Sequence, residues 1–358
     1  MIQKIELGNF KCFEKINMEL GMLNIFSGMN GTGKSTVIQS ILLLRQAFKQ
    51  GLLPEKINLN GDYVNIGTGR ELLYEKTSDE IIIIKITENN TDYLYSMKYE
   101  SNSDTLALKK PINSQLSIFS DHFDYLNAER CSPQAIYPKS SYHVDSGLLG
   151  NNGQYAIHYL LKHQDNYVSW DSIKDDKKYT IKDATQYWFN EISPNIKIDM
   201  QDIENTDSAR IGYFYTSRQH NNTFRPTNTG FGISYVLPVI LSLVKAQKNN
   251  IIIIENPEAH LHPRGQRKVG ELIALCAASG TQIIIETHSD HILNGIRIGV
   301  KKNHICNKDI KLFFFSKSEE NTDSKSYIQT PEINPQGKLN YWPDGFFDEW
   351  EKALDEII

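Results

Sequence analysis

The stretch GMNGTGKST, running from Gly28 to Thr36, fits the pattern G-x-x-x-x-G-K-[ST] through Gly28, Gly33, Lys34 and Ser35. Glycines are required there because a loop that wraps phosphate oxygens with main-chain N–H groups leaves no room for side chains. The apolar run before it, MLNIFSGMN, reads as a central strand. The run after it, STVIQSILLLRQAF, has helical spacing with no Gly or Pro. Strand, glycine loop and helix in that order aim a helix N-terminus at the same phosphates. Asn30, Gly31, Thr32, Gly33, Lys34, Ser35 and Thr36 are therefore the expected nucleotide contacts. Lys34 supplies a point charge toward the β and γ phosphates of ATP, and the Ser35 hydroxyl suits Mg²⁺.

Working outward, the chain of 358 residues has 40% hydrophobic and 10% aromatic content, enough to bury one large core or two modest ones. Met1 leads straight into an alternating pattern without the basic and apolar segments of a signal peptide. No apolar run approaches the roughly 20 residues of a membrane helix. A cytoplasmic location and no membrane partner are the expectations. Cys12, Cys131, Cys276 and Cys306 lie far apart and form no C-x-x-C pair, which argues against a disulfide framework or a zinc site. The net charge of -5 gives no global pull toward nucleic acid. Such a contact would need a local patch, for which Lys109 with Lys110, Arg264 with Arg267 and Lys268, or Lys301 with Lys302 are candidates; each also reads as a solvated face.

Along the chain, MIQKIELGNFKCFEKINMEL alternates in two pieces, as an antiparallel pair does. Short β-type runs such as IIIIKI and DYLYSMKY follow the first helix and suggest a meander. Residues 1–140 thus form an N-terminal lobe, and 141–207 a mixed, largely helical insertion that includes IKDATQYWFNEI. From 208 to 330 helices alternate with the continuous apolar runs IIII, TQIIIET and IKLFFFS, the mark of a parallel sheet covered on both faces. Residues 331–358 form a tail. Its Phe346, Trp350, Leu354 and Ile357 recur at helical spacing behind Asp344 as a cap, and the helix either docks on its own core or binds a partner.

A second stretch, IIIIENPEAHLHP from Ile251 to Pro263, is a buried strand that ends in carboxylates. Further along, RPTNTGFGISYVLPVILSLV places Gly230 and Gly232 in an exposed turn and Ser234 at the start of an apolar helix. It is either a second anion-binding helix start or a tight loop entering a core helix. H-x-H at His260 and His262 with a distant His291 is weak metal-ligand spacing.

With Asn30 inside its phosphate loop, the sequence resembles the ABC-type ATPase superfamily, in the branch of SMC, RecF and OLD-like proteins. GNFKCFEK resembles the opening hairpin of that branch, ENPEAHLHP its Walker B segment, and IIIETHSDHIL its switch-histidine strand. WPDGFFDEWEKAL is similar to the tail of some stand-alone bacterial members. The resemblance implies an α/β P-loop ATPase head with a mixed sheet, an N-terminal antiparallel β subdomain and a helical insertion. It implies that Glu255 is the Mg²⁺-side acid, in place of the usual Asp. Asn256 stands where many members carry the water-polarising Glu, and an amide there would hold the water or the γ-phosphate by hydrogen bonds. The next acid, Glu258, either turns back past Pro257 as the base or caps the following helix and leaves hydrolysis slow. His288 corresponds to the γ-phosphate histidine. The turn at Gly230, Gly232 and Ser234 corresponds to the signature that closes on the ATP of a second copy, with Asn228 and Thr229 as other donors, and this implies a twofold homodimer. Arg130, in YLNAERCSP, is expected to reach the nucleotide edge or the dimer seam, or to make a structural ion pair, and 63–69, YVNIGTG, is expected near the adenine.

Two functions remain: an ATPase, slow in turnover, that controls a separately encoded effector such as a nuclease or toxin in bacterial anti-phage defence, or a non-hydrolysing ATP-gated scaffold.

Overall fold

The computed structural model describes residues 1–112, 115–170, 177–215, 223–317 and 326–357, without side chains for 215 and 349–351. In chain order its strands are β1 (Ile2–Phe10), β2 (Phe13–Glu19), β3 (Leu23–Gly28), β4 (Lys56–Asn58), β5 (Ile81–Glu88), β6 (Thr91–Lys98), β7 (Thr105–Ala107), β8 (Phe123–Leu126), β9 (Tyr137–Pro138), β10 (Ile196–Ile203), β11 (Ser208–Tyr215), β12 (Ile251–Glu255), β13 (Gln282–Glu286), β14 (Ile310–Lys317) and β15 (Ser326–Gln329). The helices are α1 (Lys34–Lys49), α2 (Gly69–Leu72), α3 (Ser141–Asp145), α4 (Ala156–His163), α5 (Ile181–Ile192), α6 (Phe231–Val244), α7 (Pro263–Ala278), α8 (Asp290–Lys301) and α9 (Glu349–Ile357). The chain divides into two compact units. One holds Met1–Phe123, Lys311–Glu332 and Tyr341–Ile358, and the other holds Asp124–Ile310 and Ile333–Asn340. Neither is continuous in sequence, so compactness divides the chain differently from the four segments read from composition.

In the first unit, β2, β1, β5 and β6 form an antiparallel sheet in that order. The strand of the IIIIKI run buries alternate residues, Ile82, Ile84 and Ile86, and the register sets Ile86 against Ile5 and Ile84 against Leu7, so one face is continuous apolar core. A second strand run in this unit is β15, β14, β3. Phe26 of β3 meets Phe313 and Phe315 of β14 edge-on at 5.5 Å each. The one buried amide on that strand, Asn24, exchanges hydrogen bonds with both main-chain groups of Gly21 at 2.8 and 2.9 Å, so its burial leaves no unpaired polar group.

Helix α1 is anchored by polar side chains rather than by apolar ones alone. Arg45, fully buried, donates to the carbonyls of Ile118 and Ser120 and lies 4.4 Å from the Phe123 ring centroid. Gln46 accepts from the N–H groups of Tyr63 and Val64 and donates to Asn58 O, each at 3.1 Å. That ties the start of the 63–69 stretch to the back half of α1. In the tail, α9 begins at Glu349, later than a cap at Asp344 implies. Left-handed Gly345 and Phe347 interpose a turn, in which Asp348 accepts from Gly345 N at 2.9 Å while Asp344 pairs with Lys352. Phe346 docks on Phe314 at 5.2 Å, but Leu354 is half-buried and Ile357 is 78% exposed. The Trp350 side chain lies outside the described residues.

In the second unit, β12 and β13 are parallel neighbours whose apolar residues are buried throughout, with β8 on the other side of β12. The 141–207 stretch forms α3, α4 and α5, then turns to strand at β10, whose eight residues pair antiparallel with β11. Helices α7 and α8 cross at glycines. A Cβ on Gly295 would stand 2.1 Å from Arg267 O, and one on Gly270 would stand 2.3 Å from Ile292 O. Gly295→Val therefore forces the helix backbones apart, and we expect a loss of about 1–3 kcal/mol from overpacking, read as a lower urea midpoint.

Candidate functional site

The phosphate loop belongs to the first unit, and its glycines are dictated by contact. Gly28, at φ 135°, has Phe315 O 2.0 Å from where a Cβ would stand. Gly33, at φ 112°, has Phe13 Cζ at 2.3 Å and Cys12 Sγ at 2.8 Å. Gly31, at φ 72°, faces open space, the side a phosphate would approach. The Lys34 ammonium donates to Gly28 O and Met29 O, both at 2.9 Å, and so spans the mouth of the loop from within. Thr32 braces the same turn through Met29 O at 2.7 Å. Asn30 and Ser35 are exposed, whereas Thr36 is buried and accepts from the Cys12 thiol. A glycine-lined loop with a buried lysine and an exposed hydroxyl on the first helical turn fits a nucleoside triphosphate.

The second unit holds the carboxylates. Glu255 ends β12, half-buried, with Tyr125 Oη donating to its Oε1 at 2.9 Å and the Ala128 N–H facing the same group. Burial pushes the Glu255 carboxyl above the usual range, against the pull of those donors and of Arg130. Glu258 is raised for the same reason, opposed by its own donors: His288 N at 2.8 Å to Oε1 and Thr287 Oγ1 at 2.8 Å to Oε2. The structure thus joins Glu258 to the residue expected as the switch histidine. It does not cap α7: that place is taken by His262, whose ring accepts from Arg264 N. Asn256, at φ 46°, sends its N–H to Glu286 O at 2.8 Å and buries Oδ1 with no partner.

Arg130 is 3% exposed, and its Nη2 donates to Glu255 O at 2.7 Å while Nε and Nη1 are buried without acceptors. Burial lowers its pKa to about 10, so it stays charged at neutral pH. Its bond runs to a main-chain carbonyl, and among the described residues Arg130 itself makes no ion pair. At the start of α6, Gly230 is exposed and Gly232 is buried, since a Cβ there would meet His260 O at 2.4 Å. Ser234 is 7% exposed, with its hydroxyl turned to the tyrosines Tyr137 and Tyr213. The side chain on display is Phe231, 56% exposed and in contact with Tyr235 and His260. Among the described residues no group of three or more His, Cys, Asp or Glu is placed to hold a metal ion. Mg²⁺ takes hard oxygen donors, and the Glu255 carboxylate is a donor of that kind.

With this geometry in view, the family model for an AAA domain, putative AbiEii toxin, type IV TA system, matches residues 23–294. The chain belongs to that family. A model for a protein of unknown function, DUF3696, covers residues 305–357, which takes in β14, β15 and the tail. The OLD nuclease of Thermus scotoductus is 23% identical over 321 residues; the match takes in 81% of this chain but 59% of that nuclease. In three dimensions the chain resembles the SMC head bound to the C-terminal winged-helix domain of ScpA, with TM-score 0.54 and 14% identity, covering 92% of this chain and 97% of the other. It also resembles a Pyrococcus furiosus Smc head with an extended coiled coil bound to the C-terminal domain of ScpA, with TM-score 0.51, 12% identity and 99% of each chain covered. The fold is that of an SMC-type P-loop ATPase head, and the family is one of ABC-, SMC- and OLD-like ATPases.

Two residues escaped the sequence reading. Tyr125 gives no signal in a single sequence, because a tyrosine on an edge of a sheet is ordinary. Glu286 had one, since TQIIIET ends in an acid just as IIIIEN does, and the parallel register sets Glu286 beside Glu255. For the phosphate loop, Lys34→Ala removes the ammonium held at its mouth, and we expect ATP binding to be lost by calorimetry.

Proposed function

We propose that the protein is a Mg²⁺-dependent, slowly hydrolysing ATPase that works as a homodimer and controls a separately encoded effector, a nuclease or toxin, in bacterial anti-phage defence. What carries the hydrolytic reading is the pair of bonds from Glu258 to Thr287 and to His288 N: an acid raised above its usual range by burial is held at the histidine that the resemblance assigns to the γ-phosphate. A base with a raised pKa is suited to taking a proton near neutral pH. Ser35 and Glu255 would hold Mg²⁺, which when bound screens phosphate charge and orders its water shell. Glu258 polarises the attacking water, Asn256 Oδ1 accepts from it, and His288 meets the γ-phosphate. The effector is inferred from the toxin description of the family and from the nuclease relative. A scaffold that binds ATP without turnover is the second reading, favoured by the observation that both Glu258 oxygens already accept a hydrogen bond.

The variants separate these readings. Glu258→Gln should retain ATP binding and slow turnover by about 10²–10⁴-fold, and Glu255→Gln should also weaken Mg²⁺-dependent binding. Wild-type turnover in Glu258→Gln, measured by phosphate release, refutes Glu258 as the base, and a wild-type protein that binds ATP without releasing phosphate leaves the scaffold reading standing.

For the homodimer, the main-chain N–H groups at the start of α6, with Gly230 exposed and Gly232 closing on His260, are proposed to receive the partner's γ-phosphate; buried Ser234 supports the helix from below. ATP bound only by the closed dimer stabilises it by mass action. Light scattering on the Glu258→Gln protein should show a dimer with ATP, and a monomer at micromolar concentration with and without ATP would sink the assignment.

A further inference from the structure

The segment YLNAER, Tyr125 to Arg130, grips one residue at three points. Tyr125 Oη donates to Glu255 Oε1 at 2.9 Å, the Ala128 N–H faces the same carboxylate, and Arg130 Nη2 donates to the Glu255 carbonyl at 2.7 Å. Side chain and main chain of Glu255 are thus both fixed by a single loop at the end of β8. The loop is itself held, through Asn127 N to Asn151 O at 2.8 Å and Cys131 N to Asn152 O at 2.7 Å.

Such a grip has a physical purpose. A glutamate has one more rotatable bond than an aspartate, and ordering a long carboxylate costs rotamer entropy that a cation site must otherwise supply on binding. Donors that hold the carboxylate fix the side-chain torsions beforehand, so that less ordering is left for cation binding. Arg130 adds its charge without a direct pair to the carboxylate: among the described residues its hydrogen bond goes to the Glu255 carbonyl. Its two remaining nitrogens are buried without acceptors, a cost that the fold carries while holding the strand end in place.

We propose that Tyr125 is the positioning residue of a divalent-cation site at Glu255, and that its hydroxyl and the glutamate length are matched, so that one is useful only with the other. This rests on the ATPase reading, in which Glu255 is the Mg²⁺-side acid. Tyr125 touches neither nucleotide nor cation; it acts through the carboxylate it orients. Groups that orient a metal's carboxylate ligands are commonly worth 10–100-fold in metal affinity.

The experiment is a double-mutant cycle on the full chain with Tyr125→Phe and Glu255→Asp, read by Mn²⁺ binding in paramagnetic resonance with a non-hydrolysable ATP analogue. Tyr125→Phe should raise the Mn²⁺ half-saturation about 10-fold, with nucleotide affinity in chelator and the urea midpoint nearly unchanged. In the Glu255→Asp background the shortened carboxylate no longer reaches the hydroxyl, and Tyr125→Phe should change little, so the effects are non-additive. Equal effects in both backgrounds, or none in either, would overturn the proposal. A drop in the urea midpoint with unchanged Mn²⁺ half-saturation reduces Tyr125 to a packing role and overturns it too. Failure of wild-type protein to bind the analogue at all is a different result, because it removes the ATPase reading itself before the cycle begins.

Discussion

Acids at the end of a buried strand have to be held by neutral donors, and the second unit is organised around that constraint. Ile251 to Ile254 are completely buried, so β12 delivers Glu255 into a wall of hydrocarbon. A carboxylate there loses much of its hydration, and its charged form survives only where N–H and O–H groups replace the water. Tyr125 and the Ala128 N–H do so for Glu255, and Thr287 with the His288 N–H do so for Glu258. Those donors come from the ends of β8 and β13, the two strands flanking β12. Sheet order therefore decides which residues can serve the acids: only a neighbouring strand end lies within reach.

The first unit solves the opposite problem, since its ligand brings the negative charge and the protein must offer bare main chain. Gly28 and Gly33 are pressed against Phe315 O, Phe13 and Cys12, so the β1–β2 turn and β14 brace the loop from behind while Gly31 stays open in front. Phe26 packs edge-on against Phe313 and Phe315, so β14 is held to β3 by side chains as well as by the sheet. A loop braced in this way is pre-organised, and binding a phosphate then costs less ordering.

Much of this was legible because it follows from short-range rules. Continuity in IIIIE marks a strand covered on both faces, and burial follows it, whereas the four isoleucines that open IIIIKI are just as continuous and yet alternate in burial, so that strand's open face was not legible. The glycine loop and the apolar helix after it were plain. What the sequence hides is which side chain a buried polar group meets across the fold. Gln46 reads as an ordinary helical residue, yet it ties down Tyr63 and Val64, 17 and 18 positions away. Ser234 has the chemistry of a phosphate donor and the periodicity of a core position, and periodicity won: it faces tyrosines. Asp344 looked like a cap because it precedes the apolar spacing of the tail. Two left-handed residues, one of them Phe347, shift the helix start past it, and nothing in the spacing announces a phenylalanine at φ 58°.

Asn256 is where sequence pattern and backbone give different reasons for the same residue. Beside a strand-end glutamate, an amide looks like a lost catalytic acid. In the structure it takes a left-handed φ of 46°, which lets its N–H reach Glu286 O and its carbonyl receive Ala259 N at 3.1 Å. Asparagine tolerates that conformation, whereas for most side chains it costs about 1–2 kcal/mol. An acid at 256 would also stand next to Glu255 and near Glu286, its register neighbour, and each added negative charge makes ionisation of the others harder. The turn that follows, with Pro257 fixing φ, carries the next acid to Thr287 and His288 instead. Amide and displaced acid are thus two consequences of one turn: a backbone that needs asparagine at its first residue brings its carboxylate in two residues later.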